Sequence, residues 1–257
     1  MAQPARNDPF RLDGRAALVT GAGTGIGAAI AVALAEASAD VACHGNRHPP
    51  EETAERVRAA GRRAALLSGD LAEKPTADAL VEATISKLGG IDILVNNAGI
   101  MRRAPAADST DEDWDDVLEV NLSAVYRTCR AAGRHMLPLG RGKIVNVASV
   151  LAFQGGITVP AYAASKGGVA QLTKALGNEW AARGVNVNAI APGYIRTDNT
   201  AALQANETRN RQILERIPAG RWGEPNDVAA PVVFLASRAS DYMSGHVLVV
   251  DGGWLAR

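Results

Sequence analysis

The run Ala16-Ala-Leu-Val-Thr20, followed at once by Gly21-Ala-Gly-Thr-Gly-Ile-Gly27 and then by an alanine-rich stretch over residues 28–37, leaves few folds open. A short unbroken apolar run suits a strand buried on both faces of a parallel sheet. The glycines then turn the chain sharply, and the alanines that follow favour helix. Strand, glycine turn and helix in this order form the phosphate-binding start of a dinucleotide fold, with the anion at the helix amino end. Gly21 permits the tight turn, while Gly25 and Gly27 let the backbone approach a pyrophosphate and the helix pack on the sheet.

The remaining sequence keeps alternating between strand-like and helix-like runs. Strands are predicted at residues 40–44, 64–68, 91–95, 142–149, 185–190 and 247–250, and helices at 51–60, 76–88, 109–137 (one or two) and 160–183. This alternation predicts an α/β chain: a Rossmann-type doubly wound parallel β-sheet of about seven strands with helices on both faces. With no linker, repeat or low-complexity segment, residues 1–257 read as one domain with an N-terminal tail at 1–12. The least regular part, 192–221, follows a strand end and reads as a substrate lid.

Composition narrows the function classes. The 27 basic and 27 acidic residues cancel, which argues against nucleic acid or an anionic membrane as a partner held by bulk charge. Residues 1–13 lack the apolar core of a signal peptide, and no apolar run is long enough to span a bilayer, so a cytoplasmic protein is expected. Cys43 and Cys129 lie in apolar segments and read as core residues. Four scattered histidines give no metal-ligating pattern, so no metal is expected.

The chemistry centres on Tyr162-Ala-Ala-Ser-Lys166. Residues four apart on a helix share a face, so the phenol and the ammonium can enter one cleft. A free phenol titrates at about 10, and a cation within about 4–6 Å favours the phenolate. Alternatively, Tyr162 packs on the helix and Lys166 is solvated. Asn96-Asn97-Ala98-Gly99 follows a predicted strand and fits either a cofactor crevice or a structural turn. Asp70 either accepts a hydrogen bond from an adenine amino group or caps the next helix. After the second strand, where a ribose-binding acid is expected, stands Gly45-Asn46-Arg47. Arg47 there suits a 2′-phosphate or is a solvated loop residue. Asn121, within a helix, is a structural bridge or part of a relay, and Ser149 ends a strand.

Thr20-Gly-Ala-Gly-Thr-Gly-Ile-Gly27, Asn96-Asn-Ala-Gly99, Asn121, Ser149, Tyr162-x-x-x-Lys166 and Pro192-Gly193 stand in the order and spacing of the short-chain dehydrogenase/reductase family. The chain resembles that family from about Leu12 to its end. The resemblance implies Asn121, Ser149, Tyr162 and Lys166 as the catalytic group. It implies a cofactor site of Gly21, Thr24, Gly25, Ile26, Gly27, Asn46, Arg47, Asp70, Leu71, Asn97, Ala98, Gly99, Tyr162, Lys166, Pro192, Gly193, Ile195 and Thr197. The implied cofactor is NAD, with NADP kept open by Asn46-Arg47, and the implied assembly is a homotetramer. The segments Gly99-Ile-Met-Arg-Arg103, Phe153-Gln-Gly-Gly-Ile157 and Arg216-Ile-Pro-Ala-Gly-Arg-Trp-Gly223 resemble a subgroup that acts on sugar acids.

In the implied reaction Tyr162 exchanges the hydroxyl proton, Ser149 hydrogen-bonds the carbonyl oxygen, and Lys166 lowers the Tyr162 pKa and binds the nicotinamide ribose. Asn121 links Lys166 to solvent through water. A sugar-acid carboxylate suits paired hydrogen bonds from Arg102 or Arg103, with Gln154 and Arg221 as weaker candidates. Three other readings stay open: another substrate such as gluconate, a polyol or a 3-oxoacyl thioester; epimerisation on a retained cofactor; and a non-catalytic dinucleotide sensor or scaffold.

Overall fold

The structure, a computed structural model, describes residues 8–257. Among them, β1 (Ala16–Val19), β2 (Asp40–Gly45), β3 (Ala64–Ser68), β4 (Ile93–Asn96), β5 (Gly142–Val147), β6 (Val185–Pro192) and β7 (Val247–Val250) form one parallel sheet. The strand order is β3-β2-β1-β4-β5-β6-β7. The helices are α1 (Gly25–Glu36), α2 (Glu51–Ala59), α3 (Thr76–Leu88), α4 (Asp111–Leu118), α5 (Ala124–Leu139), α6 (Pro160–Trp180), α7 (Asp198–Ala205), α8 (Glu207–Arg216) and α9 (Pro225–Ala236). The Rossmann-type architecture read from the alternation is the one observed.

The central strands are buried on both faces, as a sheet covered on two sides requires. On one face α1, α2 and α9 pack through Ile30, Leu34, Val57, Val228 and Val232. On the other, α3, α5 and α6 pack through Leu80, Cys129, Met136, Val169 and Leu176. Both thiols lie in these cores, and burial pushes each up to about 12. A buried polar ladder crosses the second face. Thr128 Oγ1 donates to Asn96 Oδ1 at 2.7 Å, Asn96 Nδ2 to Asn146 Oδ1 at 2.9 Å, and Asn146 Nδ2 to Thr173 Oγ1 at 3.0 Å. It ties β4 and β5 to α5 and α6 with their polar groups satisfied.

Several boundaries depart from the sequence reading. The strand expected at 142–149 stops at Val147, because Ser149 caps a 3-10 turn over Val150–Ala152 and accepts a hydrogen bond from Leu151 N at 3.1 Å. The stretch 109–137 is interrupted by a π turn, Glu119–Ser123. The 192–221 stretch holds two helices, α7 with a capping box from Thr197 and α8 capped by Asn206, whose Oδ1 accepts from Arg209 N at 3.0 Å. The polar residues that made it look irregular are caps and solvent faces. A third cluster anchors it: Ile213, Ile217, Trp222 and Trp254 pack with Val150.

Part of the tail expected at 1–12, and of the leader reading over 1–13, lies outside the described residues. The tail ends before Leu12, which is buried in the α1 face and donates its N–H to Ala37 O at 2.8 Å.

Candidate active site

The strand order reverses between β1 and β4, and in such sheets the crevice beyond the carboxyl ends of the strands at that point takes the ligand. A cleft of about 530 Å³ lies there. Its floor is the glycine loop. Gly21 has φ 65° and Gly25 φ 55°, conformations that strain any residue with a Cβ. Gly27 is held by space: a Cβ there would lie 2.1 Å from Gly21 O. Asn97 fastens the loop, donating through Nδ2 to Thr20 O and Gly21 O at 3.0 Å each. Thr24 precedes α1 with no side-chain cap, and the first turn carries no acid. The free N–H groups of that turn are therefore suited to an anion.

Gly21, Thr24, Gly25, Ile26 and Gly27 line this cleft, as do Asn97, Ala98 and Gly99. Asn46, Arg47, Asp70 and Leu71 also line it, as does Thr197 at the start of α7. Asp70 does not cap α3, whose N-cap is Pro75; its Oδ1 accepts from Ala72 N at 2.9 Å in a local turn. Three further predicted cofactor residues lie on the segment that leads from β6 to Thr197. Pro192 closes β6, Gly193 donates its N–H to Val250 O at 2.9 Å, and Ile195 is buried and bridges Gly223. They place Thr197, whose methyl carbon would meet a Cβ on Gly25 at 3.3 Å.

Tyr162 and Lys166, one turn apart on α6, both reach the cleft. Lys166 is 4% exposed and donates to Val147 O at 2.6 Å, with its Nζ 5.5 Å from the centre of the Tyr162 ring. Burial pulls its pKa down to about 8. The expected lowering of the Tyr162 pKa by Lys166 is not found here. Burial raises the phenol, against the smaller opposing effects of the neighbouring Ser149 hydroxyl and the Arg103 charge. The physical reason is that the ammonium is turned to Val147 O and both groups are desolvated together.

Asn121, fully buried in the π turn, spends its amide on the loop after β4. Its Oδ1 accepts from Ile100 N at 2.8 Å, while Nδ2 donates to Ile100 O at 2.9 Å and to Ser165 Oγ at 3.2 Å. Of the two roles open to it, the amide side chain performs the structural bridge. A π turn inside a helix is itself frequent at functional sites.

The four substrate candidates separate. Arg102 lines the cleft but is paired with Asp113 at 3.1 Å and Asp116 at 3.4 Å. Arg221 holds Asp227 with both terminal nitrogens, at 2.6 and 3.0 Å, so its fork is taken. Gln154 Oε1 accepts from Arg216 on α8 at 3.0 Å. Arg103 has no acid partner among the described residues; it donates to Asn199 O at 3.4 Å on α7 and acts on Tyr162. Beside it, Ala104 N donates to the carbonyl of Thr158, a β-branched residue at φ 63°. That link ties the 102–104 loop to the loop after Ser149.

Sequence reasoning missed Gly23, His44 and Gly45. A Cβ on Gly23 or Gly45 would lie 2.2 or 2.3 Å from His48 O, so the loop after β2 rests directly on the glycine loop. The glycine at 45 was visible, but the contact that needs it was not.

Residues 21–255 match a family model described as Enoyl-(Acyl carrier protein) reductase. The fold, the cleft and this match define a nicotinamide-type oxidoreductase, and the chain belongs to the short-chain dehydrogenase/reductase family. It is 54% identical over 251 residues to the 2-dehydro-3-deoxy-D-gluconate 5-dehydrogenase of Bacillus subtilis, covering 98% of both chains. The enzyme of the same name from Escherichia coli is 51% identical over 249 residues, covering 96% of this chain and 98% of that one. A crystal structure from Agrobacterium tumefaciens, provisionally described as a 2-deoxy-D-gluconate 3-dehydrogenase with bound NADP, superposes with a TM-score of 0.92. It shares 55% identity over 98% of this chain and 100% of that one.

Proposed function

We propose that this dehydrogenase interconverts a secondary alcohol and a ketone of a sugar acid, as 2-dehydro-3-deoxy-D-gluconate 5-dehydrogenase does by its name. The observation that carries the reading is one cleft holding the glycine loop, the uncapped start of α1 and the Tyr162–Lys166 pair. The substrate class is supported by the two like-named relatives and by Arg103, a cation beside Tyr162 with no acid partner among the described residues.

A bound nicotinamide accepts or supplies the hydride. The glycine loop and the α1 start hold its diphosphate, Asp70 and Leu71 border the adenine end, and Lys166 serves the nicotinamide ribose. Tyr162 exchanges the proton with the substrate oxygen, and Ser149 donates a hydrogen bond to that oxygen. With its pKa raised, Tyr162 is protonated at neutral pH and serves as the acid for ketone reduction. Alcohol oxidation needs the phenolate and gains from alkali.

Either NAD or NADP serves. No acid stands directly after β2, and Arg47 is exposed without an ion-pair partner among the described residues, which suits a 2′-phosphate. The whole chain works as one domain with α7 and α8 as the substrate lid. The assembly is a homotetramer, supported by exposed Trp114 on α4 and Tyr126 on α5. The location is cytoplasmic, supported by two free, buried thiols.

The test is a panel of sugar acids, neutral polyols and a 3-oxoacyl thioester, followed by nicotinamide absorbance with NAD and NADP in parallel. Turnover confined to sugar acids supports the proposal. Turnover only with the thioester, or none with any substrate, refutes it.

A further inference from the structure

His44, at the end of β2, is 2% exposed and takes no part in the chemistry above, yet it borders the cleft. Its ring lies between two loops. Nδ1 is 3.4 Å from Gly21 N, and Nε2 is 3.0 Å from Gly69 O beyond β3. A backbone N–H can only donate and a carbonyl can only accept. Nδ1 therefore holds the lone pair and Nε2 the proton. The backbone adds a third tie, with Ala22 N donating to His44 O at 2.7 Å.

From these contacts we infer that His44, as the Nε2–H imidazole, is a positioning residue for the dinucleotide, clamping the first turn of the glycine loop to the end of β3. The clamp is two-sided at Gly21. Its N–H is taken by His44, and its carbonyl by Asn97 Nδ2 at 3.0 Å. A residue held through both of its flanking peptides keeps the left-handed turn at Gly21 in one orientation, and with it the start of α1 where the diphosphate binds. A histidine serving only the core would have no reason to join two separate loops of one cleft.

The surroundings favour the neutral ring. Burial lowers the His44 pKa, opposed by the Gly69 carbonyl and the Asp70 charge. The other titratable groups at this end of the cleft, Arg47 and His48, sit on the exposed loop after β2. A protonated ring would face Gly21 N–H with another N–H and break the contact.

This inference rests on dinucleotide binding proposed above. Three variants separate the contacts. His44→Asn keeps a short amide near Nδ1, His44→Gln keeps one near Nε2, and His44→Leu keeps neither. Binding of NAD and of NADP is measured by titration without substrate, alongside kcat at saturating cofactor. His44→Leu should raise the Kd roughly tenfold or more, and the two amides by less, with kcat little changed. Nitrogen NMR of the cofactor-free wild-type protein should show the His44 proton on Nε2 at neutral pH.

A folded His44→Leu protein binding within about twofold of wild type would overturn the inference. A charged ring, or a proton on Nδ1, would do so even if that variant failed to fold. Failure of the wild type to bind either dinucleotide would remove the functional reading as well. An unchanged Kd in His44→Leu or the wrong tautomer would overturn the clamp alone.

Discussion

Lys166 directs its ammonium at the carbonyl of Val147, 2.6 Å away at the end of β5, while standing 5.5 Å from the Tyr162 ring on the same helix. Two ionisable groups thus share a desolvated corner, and burial moves both toward neutrality: the phenol upward, the amine down to about 8. The arrangement costs stability in return for a proton donor and a cation held beside the reacting oxygen.

Tyr162→Phe should lower kcat by about 10²–10⁴-fold in both directions, the span of general acid–base catalysis, with cofactor Kd near the wild-type value. Turnover close to wild type would remove Tyr162 from the chemistry.

Lys166→Met should stabilise the cofactor-free protein while abolishing activity. The folded pKa lies below the unfolded one, so the folded state binds fewer protons between about 8 and 10.5. Wild-type stability should rise with pH through that window, with the full cost present at neutral pH. Removing the charge should gain about 3 kcal/mol at pH 7, less about 1–2 kcal/mol for the Val147 carbonyl left unpaired, a net rise of roughly 2–8 °C in Tm. Melting curves at neutral and alkaline pH check both the gain and the lost slope; a lower Tm in the variant contradicts the prediction.

For the wild type, alcohol oxidation should speed up from neutral to alkaline pH as the phenol ionises, while ketone reduction should favour the neutral side. The sign follows from the raised Tyr162 pKa. Rate–pH profiles in both directions decide it, and an oxidation profile falling with pH would be inconsistent with a phenol base.

Arg103→Met removes a charge that pulls the Tyr162 pKa down. It should raise KM about tenfold or more for a sugar acid, more than for a neutral polyol, the loss of one charge-assisted contact. It should also move the alkaline limb of oxidation to higher pH. Equal effects on both substrates would mean that Arg103 does not bind the carboxylate.

Asn121→Ala leaves Ile100 N and O unpaired, which should cost about 1–3 kcal/mol. Denaturant unfolding measures the loss. A neutral result would mean that the loop after β4 finds other partners.

What could be read in advance depended on the range of the interaction. Strand, glycine turn and helix at residues 16–36 are consecutive, so their pattern was legible, as was the shared face of Tyr162 and Lys166. The 192–221 stretch was harder, because caps such as Thr197 and Asn206 look like loop residues until the hydrophobic side of α8 meets Trp222 and Trp254. The arginines were ambiguous for the same reason. Arg221 meets Asp227 six residues away, whereas Arg103 meets Asn199 across the cleft.

By its own sequence the chain settled the architecture, the glycine cradle and the chemical types at the site, since these depend on local backbone preference and short periodicities. Tertiary structure alone decided which way Lys166 points, which of the candidate substrate arginines has no acid partner among the described residues, what Asn121 holds and which nitrogen of His44 carries the proton. Each of those depends on a partner brought from another strand end, and on water being excluded when the strands close together.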